Sequence, residues 1–498
     1  MRTATLRSVA SARPVRLVLL GLAVAVPAAL LRLDVLHRMG YLAVGTYDDG
    51  VHFSTAVALL HGRLPYRDVL FLQPPGVLLA LSPFAALTDL VGDARAFALA
   101  RIAFCLLGAL DAALVALLLR RSGTAAALVG GGVFALFFPG VYVSRTLLLE
   151  PLGTTSVLLA LLVMQRAERH RPGWWVVAGL LAGSAIGVKI WNLVPALVLL
   201  LFARRGRLRF AVGATAAVLA VYVPFFVTAP ARMWEQVVLA QLGRPPSSLG
   251  TRMRLEVLLG VNVPPDGDPL PGVPVRSLTE LLALAVLGAA VAALLEKRTR
   301  VLVALLAAEL ALLLLTPSFF LQYAGLTAAP LALVVGAGVG ALLARVDGPL
   351  PKGVVALLVV GAVAGLSAGA NTHRFDARPP IAQLRQATAA VDGCVVADDP
   401  TILIVLNRLS SDLARGCPFQ SDLSGSGYVL AIGRDVPGGR LDDPRWQRRA
   451  VRYLHSGAAY LQVRGSGLQL DPASAAELER DPVLAGRGRW ELRASPTG

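Results

Sequence analysis

Two carboxylates stand side by side, Asp48 and Asp49, in the stretch TYDDGVHFSTAVALLHGRLPYRDVLFLQPPG. A carboxylate in a partly dry cleft has a raised proton affinity. It can then take the proton of an attacking hydroxyl as general base. The alternative is an acidic loop that faces water. Downstream neighbours widen the chemistry. His52, Ser54 and His61 are the polar positions of a run that reads as an amphipathic helix on a membrane surface. Arg63 and Arg67 follow, and basic side chains at a membrane face hold phosphate or simply anchor at the interface. Gln73 then precedes a rigid Pro74-Pro75 corner.

Three later segments carry further candidates. SRTLLLEPLG holds Arg145 and Glu150, five residues apart, with Pro151 suited to start a helix. An acid entering a membrane helix is costly and marks a functional position by default, with structural pairing as the alternative. In SAIGVKIWNLVP, Lys189 is a lone cation among apolar residues that can meet phosphate or snorkel to the interface. In PSFFLQYAGLTAAP, Gln322 and Tyr323 can line a lipid or sugar cleft, or belong to an aromatic belt with Phe319 and Phe320.

The elements that must position these groups are membrane helices. The chain has 498 residues, 56% of them hydrophobic and 16% charged, whereas soluble domains are about one quarter charged. Its net charge of +16 is spread in short clusters between apolar runs, as orientation signals are. No segment interleaves basic and aromatic residues like a nucleic-acid groove. His-Glu-x-x-His, a P-loop and Cys-x-x-Cys are all missing from the sequence. Cys105 falls in an apolar run, while Cys394 and Cys417 could pair in an oxidising compartment. Small-residue runs such as GAVAGLSAGA read as close helix packing.

Hydropathy suggests about eleven spans: 15–31, 93–119, 124–142, 143–163, 174–188, 190–203, 210–228, 277–295, 301–317, 322–344 and 353–369. With the N-terminus in the cytoplasm, the inner segments 1–16, 120–123, 164–173, 203–209, 296–300 and 344–352 carry 18 Arg or Lys against three acids. That asymmetry fits the positive-inside rule. Outer loops then cover 32–92, with 76–92 dipping into or lying on the membrane, and 229–275. Residues 1–370 form a transmembrane domain and 371–498 a small extracytoplasmic domain. In that tail CVVAD reads as a strand and PTILIVL as an apolar element.

In their order, these motifs resemble the GT-C superfamily of membrane glycosyltransferases, above all bacterial relatives of protein mannosyltransferases and of actinobacterial mannosyl- and arabinosyltransferases (family 39/87-like). TYDDGVHF is similar to their acidic first-loop segment, and FLQPPGVLLALSPF to their Pro-Pro motif, with Gln73 where many relatives have histidine. RTLLLEPLG, SAIGVKIWNLVP and PSFFLQYAGLTAAP resemble later segments, again with Gln322 where histidine is common. The likeness covers residues 15–370 and leaves the tail unmatched.

The resemblance implies an all-α polytopic membrane protein, a GT-C-like bundle with a small C-terminal α/β domain, in a bacterial plasma membrane. It implies transfer of mannose or arabinose from a polyprenyl-phosphate donor to a hydroxyl on an envelope glycan, glycolipid or protein. Asp48 or Asp49 would be the base, joined by Glu150. Arg63, Arg67, Arg145 or Lys189 would stabilise the departing phosphate, with His52, Gln73, Gln322 and Tyr323 toward substrate. No cofactor is implied as required, and a divalent metal stays possible. A lipid-linked sugar flippase or other transporter, or a non-catalytic scaffold, are the alternative readings.

Overall fold

In hydrocarbon a backbone must satisfy its own polar groups, and a helix is the local way to do so. The computed structural model describes residues 2–168, 172–261, 274–345, 352–373, 377–434, 436, 439–464 and 468–496. Six helices among them are long and apolar enough to cross a membrane: Val15–Met39, Asp93–Ser122, Arg207–Phe226, Val275–Leu294, Leu321–Leu343 and Lys352–Thr372. A bent pair, Thr124–Leu136 and Phe138–Ser144, turns through 57° and makes a seventh if counted as one span. Phe137 leaves the helical region there, at φ −63° and ψ 121°, with Pro139 in the next first turn. The chain is a multi-pass membrane protein.

The expected eleven spans are therefore too many. Crossing the ~30 Å core takes about 20 helical residues. Trp174–Val188 has 15 residues, Leu193–Phe202 has 10 and Arg300–Leu315 has 16. The stretch expected at 143–163 contains a break, and its helix starts only at Glu150. That helix carries Glu150, Thr154, Thr155, Ser156, Gln165 and Arg166 and is not among the six. Residues 76–92 form a short apolar helix pair, Gly76–Ala85 and Thr88–Val91. Parts of the expected loops, 169–171, 262–273 and 346–351, lie outside the described residues.

The chain sorts into two units that interleave in sequence. One comprises residues 1–36, 103–219 and 246–373; the other comprises 37–102, 220–245 and 374–498. The first is all-helical among its described residues. Its core joins Leu118, Val133, Leu158, Ala182, Leu199, Leu305 and Leu333. Small residues bring two of its helices together at Gly179 and Gly183, where an added Cβ would fall 2.0 Å from Phe210 O and 2.3 Å from Ala214 O. In the run expected to serve this purpose, Ser367 is buried and accepts from Phe138 N–H at 3.3 Å, but the glycines make no close approach. Around Gly361, Gly365 and Gly369 an added Cβ would meet nothing within 4 Å.

In the second unit the tail supplies an open four-stranded sheet. Strands β1 (Val395–Ala397), β2 (Ala459–Val463), β3 (Val483–Arg487) and β4 (Trp490–Ala494) lie in the order β1-β2-β4-β3. β1 and β2 are parallel, with Val396 opposite Tyr460; the other pairs are antiparallel. Gly488, at φ +63°, takes the first turn position between β3 and β4, where a side chain would be strained. Trp446, Tyr460, Leu454 and Leu478 fill the core beside the sheet. Cys394 and Cys417 are joined by a disulfide. Of the tail elements read from sequence, CVVAD contains β1, and PTILIVL becomes the helix Pro400–Val405.

Candidate active site

Asp48 and Asp49 occupy the first turn of the helix Tyr47–Leu60. They are not on irregular backbone, and they sit where the helix dipole favours negative charge. Nor is this helix an amphipathic surface element: Asp49 to Ala58 are all buried. It packs beside Gly76–Ala85 and the tail helix Pro400–Val405. The approach to the tail is close enough to require glycine, since a Cβ on Gly50 would lie 2.0 Å from Thr401 Oγ1.

The two aspartates have different surroundings. Asp49 is fully buried and forms an ion pair with Arg101. Arg101 donates from Nε to Asp49 Oδ2 at 3.1 Å and also from Nη2 to the same oxygen. Its Nη1 donates to the carbonyls of Tyr41 at 2.9 Å and Ala43 at 3.0 Å, and its guanidinium lies 4.2 Å from the Phe97 ring centroid. Asp48, one position earlier, is only half-buried.

Residues from the tail complete this neighbourhood. Tyr47 Oη accepts from Ser424 N–H at 3.3 Å. Burial pushes the Tyr47 phenol well above its ordinary range, and the negative charges of Asp422 and Asp399 push the same way. Asp422 accepts from Gly425 N–H at 2.6 Å. Burial raises its carboxyl and the charge of Asp48 adds to this, while Gly425 N–H, Arg440 and Arg244 oppose it. Asp399 caps Pro400–Val405 by accepting from Thr401 N–H at 2.9 Å. Burial lifts its carboxyl to about 6, against the Thr401 bond, with a further push from Asp49. A half-open acid thus stands beside buried groups that resist further negative charge.

Other sequence candidates in this unit have structural partners. Arg63 donates to Cys417 O at 2.8 Å, tying the first loop to the disulfide. Arg67 is exposed and pairs with Asp68 at 2.8 Å. His52 is buried, with its ring edge-on to Phe71 at 6.1 Å. Gln73 is half-buried, and its carbonyl accepts from Tyr66 Oη at 2.7 Å. Tyr66 itself is held at φ +68°, a region unfavourable for a bulky side chain. Gln236 brackets it, donating to Tyr66 O at 3.2 Å and accepting from Phe71 N–H at 2.9 Å.

In the other unit the structure brings Glu150, Lys189 and Tyr323 together. Glu150 opens the helix Glu150–Ala167, with Pro151 next to it. Lys189 sits in the extended break after Trp174–Val188, at φ −147° and ψ 127°. The two form a buried ion pair through Glu150 Oε1. Glu150 Oε2 has no hydrogen-bond partner among the described residues. Lys189 Nζ lies 4.2 Å from the Tyr323 ring centroid, and Phe320 meets that ring edge-on at 5.4 Å. Arg145 is buried over the Tyr142 ring at 4.6 Å. Gln322 lies half-buried in the turn Leu321–Tyr323.

With this geometry in view, known proteins can be compared. Residues 73–234, about a third of the chain, match the family model described as dolichyl-phosphate-mannose-protein mannosyltransferase. The match includes Arg145, Glu150 and Lys189 but not Asp48 or Asp49. No curated protein matches the sequence. Among solved structures, ArnT from Cupriavidus metallidurans bound to undecaprenyl phosphate superposes with a TM-score of 0.61 at 16% identity, covering 96% of this chain and 97% of that one. The Archaeoglobus fulgidus oligosaccharyltransferase, in complex with zinc and sulfate, superposes with a TM-score of 0.55 at 14% identity, covering 89% of this chain and 68% of that one. The chain shares its fold with these two structures.

Several buried polar groups of this fold were not among the residues singled out from the sequence. Arg101 lay in plain view as a cation within an apolar span, a pattern that marks function or pairing by default. Arg32 and Asp111 carry the same signal. Arg32 donates to Ser144 Oγ at 2.7 Å and Ala135 O at 2.9 Å, and Asp111 accepts from Thr155 Oγ1 at 2.6 Å. Asp399 and Asp422 gave no such signal, because a mixed tail makes single acids look ordinary. Among the described residues no group of three or more His, Cys, Asp or Glu side chains is placed to hold a metal ion.

Proposed function

We propose that this protein transfers a sugar, mannose or arabinose, from a polyprenyl-phosphate donor to a hydroxyl on an envelope glycan, glycolipid or protein. The membrane is the bacterial plasma membrane, with the N-terminus cytoplasmic and the acidic loop and tail outside. The fold shared with ArnT and the oligosaccharyltransferase supports the reaction class, and the mannosyltransferase match supports the donor type. The charge asymmetry between the apolar runs supports the orientation.

The observation that carries the residue assignment is the contrast between the two aspartates. Asp49 gives one oxygen to two guanidinium nitrogens. The lone pairs of that oxygen, Oδ2, serve Arg101, and the carboxylate as a whole is buried. Asp48 is half-open at the same helix start, so Asp48 is the base. It takes the acceptor's proton as the hydroxyl oxygen bonds to the anomeric carbon. The bond from that carbon to the phosphate oxygen breaks, and polyprenyl phosphate leaves with the electron pair. Lys189 and Arg145 are assigned to the donor's phosphate. Each is buried against a tyrosine ring, where a cation finds few competing waters.

The test uses protein in lipid nanodiscs with radiolabelled polyprenyl-phosphate mannose or arabinose and a lipid-extract acceptor. Wild type transfers label, and Asp48→Asn loses about 100-fold or more, the usual scale of a general base, with its melting temperature unchanged. Full activity in Asp48→Asn would remove the base assignment. No transfer from either donor by wild type would overturn the transferase reading, and a flipping assay would follow.

A further inference from the structure

The tail helix Pro444–Leu454, PRWQRRAVRYL, carries four arginines and no acid. Residues 374–498 as a whole hold 16 arginines, no lysine and 14 acids, so the concentration on this helix is not the tail's general charge. Trp446, Ala450, Val451 and Leu454 are buried in the core beside the sheet. Their helical spacing leaves Arg445, Arg448, Arg449 and Arg452 to the opposite face, and all four are exposed.

That face works against the helix. Arg445 and Arg448, like Arg449 and Arg452, are three residues apart; Arg445 and Arg449, like Arg448 and Arg452, are four apart. Like charges at such separations are destabilising. Arg445 also stands in the first turn, where the dipole favours negative charge. Of the two acids just before the helix, Asp443 pairs with Arg434 and accepts from Arg445 N–H at 3.0 Å, and Asp442 is exposed. Among the described residues the guanidinium groups of Arg445, Arg448 and Arg452 form no hydrogen bond or ion pair. Arg449 has one partner: with the Gln420 amide oxygen turned toward it, it donates from Nη2 at 2.9 Å and from Nε at 3.2 Å. A local cost kept on an exposed face points to a function.

Three features say what the face fits. The first is chemistry. Guanidinium forks match carboxylates and phosphates bidentately, and the four positions form a row about 10 Å long, suited to a chain of repeated anionic groups. The second is the helix's other face. A helix that lies on a bilayer puts its apolar side into the lipid, and here that side is spent on the tail's own core. The third is place. Tyr453 Oη of the same helix accepts from Gln420 N–H at 3.1 Å, and Ser421 Oγ donates to Leu70 O at 2.6 Å. Asp422 follows, next to the charge of Asp48, and Ser424 N–H bonds Tyr47. The segment 420–424 therefore joins the arginine face to the candidate site.

We propose that this face binds an acidic glycan, held through its carboxylates or phosphates by Arg445, Arg448, Arg449 and Arg452, and that this glycan is the acceptor. The acceptor role rests on the transferase reading; the binding does not.

The test uses the full chain in phosphatidylcholine nanodiscs, without donor, and three probes of matched length: oligogalacturonate, poly(glycerol phosphate) and maltodextrin. At least one acidic probe binds about tenfold more tightly than the neutral one, and which one does so names the anionic group. Arg445→Gln/Arg448→Gln/Arg452→Gln loses that preference, with a thermal midpoint no lower than wild type because the repulsion is gone. Arg448→Glu weakens binding in the same direction and decides the matter if the triple variant fails to fold. Arg480→Gln/Arg487→Gln, which removes two exposed arginines elsewhere in the tail, keeps the preference. Equal binding of acidic and neutral probes by wild type, or an equal loss in the helix and control variants, would overturn the site. Capture by phosphatidylglycerol vesicles that no acidic probe competes away would overturn it too, in favour of a membrane contact. For the acceptor role, the acidic probe that binds inhibits sugar transfer to the lipid-extract acceptor by wild type; uninhibited transfer would remove that role. Wild type that binds the probe but transfers nothing from either donor contradicts the transferase reading and leaves the binding standing.

Discussion

Arg101 grips a single oxygen of Asp49, Oδ2, through Nε and Nη2, in a pair closed to solvent. The same guanidinium holds the carbonyls of Tyr41 and Ala43. One side chain therefore sets the chain leading into the helix Tyr47–Leu60 and the first turn of that helix. Breaking a buried pair from one side leaves an uncompensated charge and costs about 3–5 kcal/mol. Asp49→Asn and Arg101→Met are each expected to lower the thermal midpoint in detergent, whereas Asp48→Asn leaves it in place. A double variant Asp49→Asn/Arg101→Met should recover part of the loss, which a double-mutant cycle measures. Equal midpoints for Asp48→Asn and Asp49→Asn would show that the pair does not anchor this helix.

Lys189 and Glu150 pose the same question with a different answer. As a purely structural pair, Lys189→Met/Glu150→Gln would restore both fold and turnover lost in the single variants. If Lys189 meets the donor's phosphate, the double variant folds yet keeps a weakened use of donor. Its KM for polyprenyl-phosphate sugar should rise about tenfold, the scale of one lost charge-assisted contact. Donor kinetics equal to wild type in the folded double variant would confine Lys189 to packing.

Asp399 predicts a pH dependence of stability. Its carboxyl is raised by burial to about 6 in the folded chain, against about 3.9 when unfolded. The folded state therefore binds the proton more tightly. This contribution is full below about pH 4, falls as pH rises and is gone above about pH 6. Two pH units correspond to about 3 kcal/mol. Asp399→Asn keeps a side-chain cap for Pro400–Val405 and removes the titration. The stability difference between variant and wild type should shift in the variant's favour as pH goes from 4.5 to 7. A difference that stays flat over that range would show that the carboxyl does not titrate there.

How much of this was legible in the sequence depends on the reach of each interaction. The six long spans were visible because crossing hydrocarbon needs about 20 apolar residues in a row, a property of local sequence alone. So was the pairing of acids at Asp48 and Asp49, since adjacent residues share a helix start wherever that helix goes. The surplus of expected spans has a physical cause. Trp174–Val188 and Leu193–Phe202 are apolar because neighbouring helices cover their buried faces, and hydropathy does not distinguish burial in protein from burial in lipid. In GAVAGLSAGA the packing goes through Ser367 and not the glycines: small residues permit close approach, but only a facing backbone, as at Gly179 and Gly183, uses it.

Tertiary structure alone decided that the two aspartates have different surroundings, Asp49 buried on Arg101 and Asp48 half-buried. Arg101 lies 52 residues from Asp49, and no periodicity links them. Thr401 Oγ1 crowds the place where a Cβ on Gly50 would be, and Ser424 N–H bonds Tyr47, both from a tail more than 350 residues away in sequence. Local sequence determined the helices and their charges. The fold determined their partners, because an ion pair or a close approach is a property of two distant segments and is written in neither one by itself.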